Sequence, residues 1–103
     1  MADPEVVILD EPTAGLDLGA RETLVVALRD IMADPGSPVI IMITHELEEI
    51  APGFTHAALM KDGTITSKGP IGDTLTGQSL SETFGLPLEL VEHSGRWWVS
   101  HAG

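Results

Sequence analysis

Val6-Val7-Ile8-Leu9-Asp10-Glu11-Pro12 is the stretch whose reading decides the fold. Four apolar residues, three of them β-branched, run without polar alternation, the pattern of a strand buried on both faces of a parallel sheet. The run ends abruptly in two carboxylates and a proline. After the loop Thr13-Ala14-Gly15-Leu16-Asp17, the residues Leu24, Val25, Leu28, Ile31 and Met32 recur at helical spacing until Asp34-Pro35-Gly36 interrupts them, which predicts one amphipathic helix of about four turns. Val39-Ile40-Ile41-Met42-Ile43 is a second continuous apolar run. Strand, helix and strand in this order and at this length suit a right-handed βαβ crossover, so the fold class is α/β with parallel strands joined by a crossover helix.

Downstream the signals change. Glu46 to Ala51 reads as a short helix with Leu47 and Ile50 on its apolar face and a solvated acidic face, stopped by Pro52-Gly53. His56 to Lys61 and Thr64 to Ser67 flank Asp62-Gly63, a dipeptide that tolerates the positive φ angles of a two-residue hairpin turn. Short helical candidates follow at Ile71 to Leu75 and Leu80 to Phe84. Leu88 to Glu92 and Arg96 to Ser100 then predict a second hairpin turning at Ser94-Gly95, in which Trp97 and Trp98 point to opposite sides, one into the core and one outward.

The 103 residues suffice for one small domain. A content of 43% hydrophobic and 20% charged residues is that of a globular chain. Sixteen acidic against five basic side chains give a net charge of -11, which repels phosphate backbones and anionic lipid, so direct nucleic-acid binding is not expected. With no cysteine there is neither a disulfide nor a thiolate metal site. His56, His93 and His101 have no convergent spacing, and a zinc site is not expected from them. Apolar runs are too short to span a bilayer, and the acidic start carries no basic leader signal, so the location expected is cytoplasmic, with any membrane association peripheral and through a partner.

In open α/β sheets the working residues gather at the carboxyl ends of the strands. Asp10-Glu11 ends the first strand and His45 follows the second. An adjacent Asp-Glu pair can divide the labour of phosphoryl transfer, one carboxylate supplying hard oxygen to a Mg²⁺ shell and the other orienting the attacking water. Taken alone, such a pair is more often a solvated loop.

The string Val6 to Asp17 closely resembles the Walker B and D-loop stretch of the ABC ATPase family. Ile43-Thr44-His45-Glu46 is similar to that family's switch-histidine loop, and Lys61-Asp62-Gly63 to the hairpin beyond it, so the resemblance covers about residues 1 to 70. It implies a partial P-loop NTPase (RecA-like) domain with C-terminal β-hairpins, residues 1–70 being its core and 71–103 a C-terminal extension. By the same resemblance Asp10 holds the Mg²⁺ of Mg-ATP, Glu11 is the catalytic base, and His45 binds and stabilises the γ-phosphate as the bond breaks. Ala14, Gly15, Leu16 and Asp17 form a D-loop touching the opposite subunit of a head-to-tail dimer.

The sequence departs from the family in having no match to Gly-x-x-x-x-Gly-Lys-Ser/Thr, the loop that cradles phosphates, and no Leu-Ser-Gly-Gly-type signature or recognisable Q-loop. The expectation is therefore the C-terminal part of an ATPase that couples ATP hydrolysis to transport through a separate membrane permease, inactive alone and dependent on an N-terminal half or a second ATPase subunit. The alternative is a non-catalytic fragment or interaction module that does not bind ATP. Loss of flanking strands would leave sheet edges open to self-association.

Overall fold

The computed structural model describes residues 5–102. The chain divides into two units at Gly53 and Phe54.

In the first unit, β1 (Val6–Asp10) and β2 (Val39–Ile43) pair in parallel, joined by helix α1 (Leu18–Ala33). Register is regular, Val6 beside Val39, Ile8 beside Ile41 and Asp10 beside Ile43. The helix starts at Leu18, six residues before the apolar spacing does, because Asp17 caps it: its Oδ1 accepts the Ala20 N–H at 2.8 Å, satisfying one of the donors left free in a first turn. Val25 and Leu28 are buried and Leu24 and Met32 half-buried, whereas Ile31 remains exposed.

The strands are not buried on both faces, as the continuous apolar runs predict. Val6 is 57% exposed, Ile8 64%, Val39 53%, Ile41 48% and Ile43 51%. These five share one face, because paired residues of a parallel ladder point the same way. Leu9, Ile40 and Met42, on the other face, are half-buried. The sequence is that of a two-sided strand; these residues cover only one side of it. Beyond β2 the expected helix over 46–51 contracts to a single 3₁₀ turn, Leu47–Glu49. Its acidic face is also not wholly solvated: Glu49 is 2% exposed, and the turn lies against α1.

In the second unit, β3 (His56–Lys61) and β4 (Thr64–Pro70) form an antiparallel hairpin, followed by α2 (Ile71–Thr74), α3 (Gly77–Phe84) and a second hairpin of β5 (Leu88–His93) and β6 (Arg96–His101). Both turns have the predicted chemistry, with φ of 54° at Asp62 and 75° at Gly63, then 52° at Ser94 and 75° at Gly95. α3 begins earlier than its apolar residues suggest because Thr76 caps it, accepting from Ser79 N at 3.0 Å. It ends at Gly85 in the left-handed conformation. The core gathers Leu59, Leu75, Leu80 and Trp97. Trp97 is 8% exposed and Trp98 41%, the division that strand alternation requires, and the Arg96 guanidinium lies 5.8 Å from the Trp98 ring centre.

Candidate functional site

The parallel pairing of β1 and β2 brings their carboxyl ends side by side. Asp10 closes the last rung, opposite Ile43. Its carboxylate is exposed and, among the described residues, has no hydrogen-bond or ion-pair partner. One rung further, the backbone N–H of Glu11 donates to the carbonyl of Ile43 at 2.7 Å. This bond holds the residue after one strand against the end of the other. Glu11 then leaves the strand direction at a φ of 48°, a left-handed conformation that costs a residue other than glycine roughly 1–2 kcal/mol.

On the neighbouring strand, Thr44 organises the chain that carries His45. Its Oγ1 accepts the N–H of Glu46 at 2.8 Å and donates to that residue's carbonyl at 3.2 Å, a local turn of the kind hydroxyl side chains stabilise. His45 is thereby turned toward β1, and its Nε2 lies 2.9 Å from Glu11 Oε1. A carboxylate can only accept, so Nε2 is the protonated nitrogen. The side chains are 87% and 45% exposed, and a contact so open to water adds little to stability. Its content is positional: a carboxylate and an imidazole that follow two different strands meet at the sheet end, and Asp10 directly precedes the first of them in the chain.

The other predicted residues occupy the loop into α1. Two successive turns, Ala14 N to Glu11 O at 3.1 Å and Leu16 N to Thr13 O at 3.0 Å, shape it. Gly15 takes a φ of 80°, open only to glycine without strain. Ala14, Gly15, Leu16 and Asp17 are all exposed. Asp17 has a local task in addition, as the cap of α1. Sequence reading did not assign Thr44 its part in shaping the loop, although a Thr directly after a strand and before a polar turn is a signal for it. The left-handed Glu11 had no signal in the sequence.

A donor set of one exposed, unpaired carboxylate suits Mg²⁺, which prefers hard oxygen and keeps several waters when protein ligands are few. No backbone cradle for a triphosphate accompanies it in the sequence.

The fold is that of an ABC transporter ATPase. A metal-chelate type ABC transporter, solved in an inward-facing conformation, superposes with a TM-score of 0.69 over 93% of this chain and 39% of its own, at 23% identity. No model of a known protein family matches the chain. Among curated proteins, YlmA of Bacillus subtilis (strain 168), an uncharacterized ABC transporter ATP-binding protein, is 41% identical over 99% of this chain and 39% of its own length. The hemin import ATP-binding protein HmuV of Rhodococcus jostii (strain RHA1) is 36% identical over 86% of this chain and 30% of its own length. The chain belongs to the ABC transporter ATP-binding proteins and corresponds to their C-terminal part. It spans less than two fifths of the length of these relatives.

Proposed function

We propose that these residues supply the hydrolytic half of an ATP site in a P-loop, RecA-like ATPase domain. The observation that carries the reading is the contact between Glu11 and His45 at the ends of two parallel strands. Asp10 is the residue that would hold Mg²⁺, which when bound neutralises charge on the phosphates. Glu11 orients and deprotonates the attacking water. His45, with its proton on Nε2, donates to the γ-phosphate oxygen as negative charge develops there, the service that positioned donors perform in phosphoryl transfer. In the resting pair Glu11 occupies that donor; with ATP in place the γ-phosphate would take it over and release the carboxylate for the water.

Ala14, Gly15, Leu16 and Asp17 form the contact to the opposing subunit of a head-to-tail dimer. The phosphate-gripping loop comes from outside these 103 residues, and the whole is one incomplete ATPase domain with an extension after residue 70. Its work is transport through a separate permease at the cytoplasmic face of a membrane; among the described residues no helix is long and apolar enough to cross one. The names of the relatives, ATP-binding and import proteins, support this reading.

Calorimetry tests it. The 103-residue chain alone is expected not to bind Mg-ATP at millimolar nucleotide. Joined to the preceding part of a relative such as YlmA it should bind and hydrolyse ATP, and Glu11→Gln in that chimera should retain binding while turnover falls by about 10²-fold or more. Turnover unchanged by Glu11→Gln would overturn the assignment. The absence of a phosphate loop supports a second reading, a module that folds and binds partner subunits without nucleotide; a chimera that binds no ATP would favour it.

A further inference from the structure

The β3–β4 hairpin carries an irregularity that the proposed ATPase chemistry does not use. Leu59 pairs with Ser67 but Met60 pairs with Ile65, so Thr66 is an extra residue without an opposite number. In a regular strand neighbours point to opposite faces. Here Thr66 and Ser67 both line one open cleft of about 160 Å³, flanked on its other side by Ser79, Glu82 and Thr83 of α3. Bulges recur where a strand re-aims a side chain at a site, and this one sets two successive hydroxyl-bearing residues along the same space.

The hydrogen-bond inventory of the cavity defines what fits it. Every lining side chain ends in oxygen. Thr66 Oγ1 donates its one hydrogen to the Leu59 carbonyl at 3.3 Å. The Thr66 and Thr83 hydroxyls share a further hydrogen bond at 2.8 Å that either can donate; with Thr83 as its donor both contacts of Thr66 are made, and both threonines then keep acceptor capacity only. Ser79 Oγ already accepts from Thr76 Oγ1 at 3.0 Å, and Glu82 Oε1 from Gln78 Nε2 at 3.2 Å. Glu82 keeps its second oxygen free. Only the Ser67 and Ser79 hydroxyls still offer a proton, against free lone pairs on all five residues. The cavity is anionic, rich in acceptors and poor in donors.

We infer that this cleft between β4 and α3 is a binding site for a hydrogen-bond-donating organic cation, an ammonium or guanidinium head group, anchored on Glu82. Anions are repelled by Glu82 and find too few donors. A cation lacking N–H groups gains the charge of Glu82 but leaves the hydroxyl acceptors unmet. The same head group arrives on a free amine or guanidine, or on a Lys or Arg side chain of a partner protein. All the lining residues belong to the second unit, whereas Asp10, Glu11 and His45 belong to the first, so the inference does not depend on the ATPase reading.

The test is a titration of the ¹⁵N-labelled full chain, at constant ionic strength, with methylguanidinium, ethylammonium, tetramethylammonium and Mg²⁺, followed by amide chemical shifts. Methylguanidinium and ethylammonium are expected to give saturable shifts at Ser67, Ser79, Glu82 and Thr83. Tetramethylammonium should give none there, and Glu82→Gln should weaken the response at least tenfold. An arginine-containing peptide binding more tightly than methylguanidinium assigns the site to a partner's side chain; equal binding assigns it to a free small molecule. Equal shifts with tetramethylammonium, stronger binding of Mg²⁺ at these amides, or a response that survives Glu82→Gln would each overturn the inference, since any of them means general attraction to an acidic chain or a metal site. Glu82 is exposed, so its substitution leaves the fold intact; Thr83→Val, which removes the inner hydroxyl, is the second variant and should weaken the two N–H donors alone.

Discussion

His45 Nε2 and Glu11 Oε1 stand 2.9 Å apart although helix α1 and strand β2 separate them in the chain. The parallel ladder creates this nearness: Glu11 N–H bonds to the carbonyl of Ile43, and His45 lies two residues beyond. Two groups that meet only because two strands end at the same level act as a unit, and their removal should not be additive. In a chimera completed with the preceding part of a relative, Glu11→Gln and His45→Ala are each expected to cut ATP turnover by about 10²-fold or more. The double variant should be little worse than the poorer single. Multiplicative losses in steady-state turnover would mean that the two residues serve separate steps.

Glu11 is also a point of backbone strain. Its φ of 48° is unfavourable for a side chain with a Cβ. Glu11→Gly is therefore expected to raise the stability of the chain by about 0.5–1 kcal/mol, net of glycine's greater freedom when unfolded, while removing the His45 contact. Urea denaturation measures it. A destabilised Glu11→Gly chain would show that the side chain, through its contact or its packing, contributes more than the backbone conformation costs.

Asp17 caps α1, and substitution can separate that task from the proposed contact to an opposing subunit. As the cap of α1 it accepts from Ala20 N–H at 2.8 Å, so Asp17→Ala should cost about 1 kcal/mol, whereas Asp17→Asn keeps the acceptor and should cost little. If the residue also touches an opposing subunit through its charge, Asp17→Asn will weaken ATP-dependent dimerisation of the completed domain with its thermal midpoint unchanged. Parallel loss of both in the Asn variant would reduce Asp17 to a helix cap.

What the sequence made legible follows from the range of the interactions involved. The hairpins at Asp62-Gly63 and Ser94-Gly95 and the division of Trp97 from Trp98 depend on neighbours within a few residues, and all are found where expected. Apolar spacing places the starts of α1 and α3 too late, because capping by Asp17 and Thr76 sets them. The bulge at Thr66 was invisible because it is a mismatch between two strands and leaves no mark in either alone. Glu49 shows the same limit: an acidic triplet reads as a solvated face, and only the packing of its turn against α1 reveals that the last member is buried.

The exposed face of the β1–β2 pair carries the last prediction. Val6, Ile8, Val39, Ile41 and Ile43 form a continuous apolar surface on a sheet of two strands. Such a surface gains about 25 cal/mol for every Å² it removes from water on association. The net charge of -11 opposes assembly, but salt screens it beyond a Debye length of about 8 Å at physiological ionic strength. The isolated chain is therefore expected to self-associate in sedimentation experiments, more strongly as salt is raised from low to physiological levels. Ile8→Lys with Ile41→Glu places opposite charges on adjacent strands at a paired position. It should shift the chain to monomer at a cost in folding stability of no more than about 0.5 kcal/mol, as expected for exposed positions. A wild-type chain that sediments as a monomer at all salt concentrations would show that this face is not adhesive. A double variant that unfolds would show instead that the apolar face is a structural part of the first unit.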